Sequence, residues 1–87
     1  MAKRTDHNQR VIVDNLRRIG ATVTCIHEVG HGCPDIVAGF RGKNWLIEIK
    51  MPGEHLTPDE ERWHRNWEGE VWIITSPEDA IRLVTDG

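Results

Sequence analysis

The sequence has no run of 18 apolar residues and no leader in which basic, apolar and small residues follow in order. A membrane span and an export signal are therefore not expected, and the chain reads as an intracellular, soluble protein. Cysteine is scarce: Cys25 and Cys33 are the two present, and without an export signal reduced thiols are the default rather than a disulfide framework. A basic excess is also lacking, since 11 Lys and Arg stand against 14 Asp and Glu for a net charge of −3. That excludes a uniformly basic coat for nucleic acid. There is no internal repeat, linker or low-complexity stretch, and 87 residues are enough for one domain with one core. Residues 1–87 are read as a single domain, with 1–5 expected to fray. Such a minimal domain has no room for a separate recognition module, and pairing with a second copy would add both stability and contact area.

Charge is unevenly placed. Lys3, Arg4, Arg10, Arg17 and Arg18 outnumber Asp6 and Asp14 in the first 18 residues, whereas Glu54, Asp59, Glu60, Glu61, Glu68 and Glu70 outnumber Arg62 and Arg65 in residues 54–70. The first segment could face phosphates; the second is poorly suited to that.

The pattern of apolar residues predicts the element order α-β-β-β-α-β-α, an α/β (α+β) domain with a mixed sheet flanked by helices. Ile12, Leu16 and Ile19 recur at helical spacing from about Asp6, and Gly20 follows the basic pair Arg17 and Arg18 as a stop. Ala21 to His27 alternates as a strand does, and Glu28 to Cys33 reads as a glycine-containing loop. Glycine there permits either a flexible turn or close approach of backbone to a ligand. Thr57-Pro58-Asp59-Glu60 is a helix start with Thr57 as N-cap and Glu60 closing a capping box, and Gly69 is the expected end. Trp63 and Trp67, four apart, form an apolar stripe suited to packing on the sheet or across a dimer seam more than to stacking on bases. Glu70 to Thr75, apolar on both faces, predicts a central, fully covered strand. Ser76-Pro77 then opens a helix with Ala80, Ile81 and Val84 facing inward.

Between these lies Pro34 to Lys50, two apolar runs, Ile36 to Phe40 and Trp45 to Ile49, that predict a β-hairpin. Gly42-Lys43 as a two-residue type II′ turn would place Asp35 opposite Lys50 and Val37 opposite Glu48. Side chains alternate along a strand, so Asp35, Glu48 and Lys50 would share one face, with Asp35 and Glu48 diagonal neighbours roughly 7–8 Å apart at Cα. A metal ion could bridge such a gap; a cross-strand salt bridge through Lys50 is the plainer alternative. A slip of the register by one residue would separate the three charges.

Cys25, His27, His31 and Cys33 put four potential zinc ligands in nine residues. Their spacing fits none of the common paired-ligand patterns. A half-buried strand carrying Cys25 and His27, followed by loop residues, accounts for them without zinc.

Pro34-Asp35 followed by Glu48-Ile49-Lys50, with an apolar strand on each side of the turn, resembles the signature of the PD-(D/E)XK nuclease superfamily. The lead-in Gly30-His31-Gly32-Cys33, the run Pro34 to Gly39 and the helix opening Leu56-Thr57-Pro58 look more specifically like the virus-type replication-repair nuclease (VRR-NUC) group, over about Gln9 to Val84. The resemblance implies a Mg²⁺- or Mn²⁺-dependent DNA endonuclease with Asp35 and Glu48 as metal ligands, the Ile49 carbonyl as a third, and Lys50 beside the attacking water. It also implies a homodimer acting on branched or four-way (Holliday) junction DNA in repair, in the cytoplasm of a bacterial or phage-infected cell. Two positions depart from the group: Thr5 and Asp6 stand where a glutamate is often found, and Glu60 stands where a glutamine is common. The rival from another class is a non-enzymatic nucleic-acid-binding or assembly module, stabilised by zinc through Cys25, His27, His31 and Cys33.

Overall fold

A computed structural model of the chain describes the backbone of residues 4–87 and the side chains from Asp6 onward. The elements are α1 (Arg4–Arg18), β1 (Thr22–Cys25), a 3-10 turn (His27–Val29), β2 (Ile36–Phe40), β3 (Lys43–Ile49), α2 (Pro58–Asn66), β4 (Trp72–Ile74) and α3 (Pro77–Asp86). This is the expected α-β-β-β-α-β-α order. The sheet runs β1-β2-β3-β4, antiparallel except for the parallel β3–β4 pair that the α2 crossover permits.

Alternation along the strands sorts the sheet into two unlike faces. Ile36, Ala38, Trp45, Ile47 and Ile49 are buried with Ile12, Val13 and Leu16 of α1 and Ala80 and Val84 of α3, and this is the hydrophobic core. Glu48 and Lys50 fall on the opposite face, over which α2 supplies the cover through Glu60 and His64. Asn8, one helical step before Ile12 and Leu16 on the inward stripe, donates from its side-chain amide to the carbonyls of Lys50 at 3.0 Å and Thr75 at 3.1 Å. α1 thereby holds the ends of β3 and β4 side by side.

Several sequence expectations are corrected. The hairpin turn is centred on Arg41-Gly42, not Gly42-Lys43, and both residues have positive φ, 52° and 81°, as a type I′ turn requires. The arginine in the left-handed region spreads its guanidinium over Phe40, 4.8 Å from the ring centroid. β4 is an edge strand rather than a central one, and its Ile73 is half exposed. In α3, Leu83 packs against the core beside Ala80 and Val84, whereas Ile81 is half-buried outside that cluster. α2 ends at Asn66, short of Gly69, with Trp67 as its C-cap. α1 is helical from Arg4 rather than from about Asp6, which lies inside its first turn.

The loop glycine at position 32 serves packing. Its φ is +84°, and a Cβ built on it would sit 2.2 Å from the Asp59 carbonyl oxygen. The loop that leads into Asp35 therefore lies directly against the first turn of α2, and glycine is needed for close approach to the helix. Gly32→Ala is expected to destabilise the protein by about 2 kcal/mol or more, through both backbone strain and displacement of α2. The midpoint of a denaturant melt measures it.

Candidate metal and phosphodiester site

Moving a two-residue turn by one position shifts the strand pairing by two residues, and two is the period of side-chain alternation. The faces are therefore unchanged although the partners are not. Ile36 pairs with Ile47, and Asp35, the residue before β2, brings its carboxyl against that of Glu48 instead of pairing with Lys50. Asp35 straddles Glu48: its N–H donates to the Ile47 carbonyl at 3.1 Å, and its carboxylate Oδ2 accepts the Ile49 N–H at 2.7 Å. The expected diagonal is replaced by a direct juxtaposition of the two carboxyl groups.

Glu48 and Lys50 are the buried charged residues among those described, 2% and 5% exposed. Burial, then the Asp35 carboxyl beside it, push the Glu48 carboxyl up to about 9, with Glu60 adding to the rise and Lys50 opposing it. Lys50 sits in a nest of carboxylates, Nζ to Glu60 Oε1 at 2.6 Å and to Glu48 Oε2 and Glu54 Oε2 at 3.9 Å. Burial disfavours its charge, but the Glu60 hydrogen bond and the charges of Glu60, Glu48 and Glu54 outweigh that and raise it. In this state Lys50 is an ammonium, a fixed positive charge.

Glu60 has two tasks at one atom. Its Oε1 accepts the Thr57 N–H at 2.9 Å, while Thr57 Oγ1 accepts the Glu60 N–H at 3.2 Å, completing the capping box. The same Oε1 binds Lys50 Nζ. Burial works to raise its pKa, but the Lys50 bond and the cap bonds lower it overall. Glu60→Ala is expected to cost about 1–2 kcal/mol by loss of the box and of the Lys50 contact. Glu60→Gln keeps the box and should recover much of that loss, a difference that thermal melts of the two variants resolve.

One turn beyond Glu60, His64 reaches toward Glu48, Nε2 to Oε1 at 3.9 Å. Both atoms are buried, and neither has a hydrogen-bond partner among the described residues. Burial lowers the imidazole pKa, Glu60 opposes this and Lys50 adds to it. His64 and Asn8 were both missed from sequence. Each carried a signal: Asn8 is polar at the i−4 position of the inward stripe of α1, and His64 follows Glu60 at i+4, on the same helical face.

Other candidate residues do not join this site. Asp6 is exposed and lines a groove with Gln9, Arg10, Arg17, Cys25 and His27. The side chain of Thr5 lies outside the described residues. His31, exposed with φ 56°, flanks a pocket of about 340 Å³ bordered by Trp63 and Trp67 of α2. Those two indoles stack on each other, centroids 4.6 Å apart and 15° from parallel, with Trp67 45% exposed. Cys25, His27 and His31 are exposed and Cys33 is half-buried. Among the described residues no group of three or more His, Cys, Asp or Glu side chains is drawn together as a metal cage, so the four proposed zinc ligands are not assembled. The Cys33 thiol is pushed up by burial and by the negative charges of Glu48 and Asp35. That places it at the margin of the acidic site.

Against an oxygen-seeking divalent cation, the donor set fits. Two abreast carboxyls offer hard oxygen ligands, and one of them leaves a buried oxygen without a partner. Such an orphaned acceptor is costly unless something occupies it. Asp35, Glu48 and the Ile49 carbonyl are the groups that would hold the ion, with water completing its shell.

No family model and no curated protein matches the sequence. A solved structure described as a VRR_NUC domain superposes on the chain with a TM-score of 0.76, covering 97% of this chain and 97% of that one at 21% identity. Over the 97% of its length that superposes, the chain has the fold of a VRR_NUC domain.

Proposed function

We propose that the protein is a divalent-metal-dependent nuclease that hydrolyses phosphodiester bonds in DNA, with Asp35, Glu48 and Lys50 as its catalytic residues. The observation that carries this is the buried cluster itself: abreast carboxyls of Asp35 and Glu48, one oxygen unpartnered, with the Lys50 ammonium beside them. Burying the Lys50 ammonium beside a carboxyl whose pKa is raised to about 9 is expensive, and pairing with Lys50 alone leaves Glu48 Oε1 without a partner among the described residues. The likeness to a VRR_NUC domain supports the nuclease reading.

Bound Mg²⁺ or Mn²⁺ would acidify the attacking water and offset charge on the pentavalent transition state. Asp35 and Glu48 would bind the ion, and Asp35 holds its orientation through the Ile49 N–H. Lys50, kept in place by Glu60, would orient the water and balance negative charge near the phosphate. Arg10 and Arg17 line a groove that they share with Asp6 and Asp14, and they are the groups there that would meet backbone phosphates. Preference for branched or four-way junction DNA, action as a homodimer and a place in the cytoplasm belong to the same proposal. They rest on the sequence resemblance and on the small size. Two sites related by a twofold axis would suit paired cuts. Among the described residues no helix is long and apolar enough to cross a membrane.

Incubation with linear duplex, single-stranded, flapped and four-way DNA, with Mn²⁺ or with chelator, tests this. Mn²⁺-dependent scission strongest on the four-way substrate is expected. Cutting that persists in chelator, or no cutting of any DNA, would contradict it.

A further inference from the structure

We propose that His64 supplies a nitrogen donor to the ion held by Asp35 and Glu48, making the site favour Mn²⁺ over Mg²⁺. The inference deepens the nuclease reading and rests on it. Its geometric basis is a mutual orphanhood. His64 Nε2 and Glu48 Oε1 face each other at 3.9 Å, both buried, neither hydrogen-bonded among the described residues. The gap is too long for a direct hydrogen bond. It is compatible with two ligands on one ion, whose bonds of about 2.0–2.3 Å would bring both atoms to a common point.

The imidazole is placed rather than incidental. Glu60 and His64 lie four residues apart on α2, so the same helical face delivers one to Lys50 and the other to Glu48. Trp63 stands edge-on to the ring, centroids 6.1 Å apart at 72°. The His64 side chain is 13% exposed, with Nε2 itself shielded from solvent. α2 in turn is fixed by the close approach of Gly32 to Asp59 and by the Glu60–Lys50 bond. Among the described residues no three such side chains form a closed cage, so ion binding would draw them together. Mg²⁺ is served by carboxylate, carbonyl and water oxygens, whereas an imidazole is a better partner for a transition metal. A fixed nitrogen donor therefore separates the two ions, which two carboxylates alone would treat alike.

The test is binding of each metal to the full chain by calorimetry, with pulsed electron paramagnetic resonance on the Mn²⁺ complex. For the unmodified protein, ¹⁴N coupling to Mn²⁺ is expected. In His64→Ala that coupling should vanish and Mn²⁺ affinity fall by about tenfold or more, while Mg²⁺ affinity changes less than about threefold. His64→Gln, which fills the space with a different donor, should also lose the nitrogen signal expected of imidazole, and metal-free melts establish that both variants fold. Mn²⁺ bound with no ¹⁴N coupling, but lost in Asp35→Ala, would overturn the role of His64 and leave the carboxylate site standing. Equal losses for both metals in His64→Ala would likewise overturn it, as a structural effect. Failure of the unmodified protein to bind either ion would overturn the inference together with the function proposed for the site.

Discussion

Asp35→Ala and Lys50→Ala are each expected to lower Mn²⁺-dependent DNA cleavage by about a thousandfold or more, equivalent to about 4 kcal/mol of barrier. The two losses should have different origins. Asp35 is at once a proposed ligand and the acceptor that ties β2 to the end of β3 through the Ile49 N–H. Its removal should abolish metal binding and cleavage together. Asp35→Asn keeps an acceptor for that N–H and separates the structural from the ligand role: folding should be retained, with metal binding still lost. Lys50→Ala removes the cation from a nest of Glu48, Glu54 and Glu60. Ion binding should survive or strengthen in that variant, because the competing ammonium is gone, while cleavage is lost. Metal-dependent cutting retained by either alanine variant would overturn the assignment of these residues.

The second large effect concerns pH. A carboxyl held at about 9 in the folded chain, against 4.5 for the ordinary group, binds a proton that the unfolded chain has released. Its contribution to stability is full below about 4.5 and is lost as pH rises toward 9. His64 has the opposite sign: its pKa is lowered on folding, so it favours the native state as pH rises through the ordinary histidine range. The Glu48 effect is accordingly read from about pH 7 to 8, above that range and below the point at which the Cys33 thiol, raised from 9.0 on folding, begins to ionise in the unfolded chain. Lys50, raised above 10.5, and Glu60, lowered below 4.5, do not change state in this window. A loss equivalent to one pKa unit is about 1.4 kcal/mol. For a domain of this size that is on the order of 5–10 °C in melting temperature. Added Mg²⁺ should restore the loss, and raise the melting temperature more at about pH 8.5 than at about pH 6.5, because the ion displaces the proton from Glu48. Glu48→Gln should flatten the metal-free profile and abolish the response to Mg²⁺. Melting curves at a series of pH values, with and without Mg²⁺, provide the check.

The order of elements was legible because each carried its own local signal. The Thr57-Pro58-Asp59-Glu60 start, the Gly20 stop and the periods of the apolar residues all concern neighbours in sequence. The shared face of Asp35, Glu48 and Lys50 was legible for a related reason: alternation has period two, and a whole-residue displacement of a two-residue turn preserves it. What pairs with what was not legible, since glycine at position 42 suits either central place in the turn and an arginine gives no signal that it will adopt positive φ. The edge position of β4 was hidden by its apolar composition, which does not say that Ile73 is left half exposed. Asn8, Glu60 and His64 converge on the C-terminal end of β3 from two different helices. Such contacts across 42, 10 and 16 positions of sequence follow from packing, to which helical periodicity gives direction but no destination.

The most direct measurement is the anomalous scattering of Mn²⁺ diffused into crystals of the protein. A peak is predicted at about 2.0–2.3 Å from carboxylate oxygens of both Asp35 and Glu48, with the Ile49 carbonyl as a further ligand. A peak among Cys25, His27, His31 and Cys33, or none beside Glu48 in crystals where both carboxyls are ordered, would contradict the assignment of this cluster as a phosphodiesterase metal site.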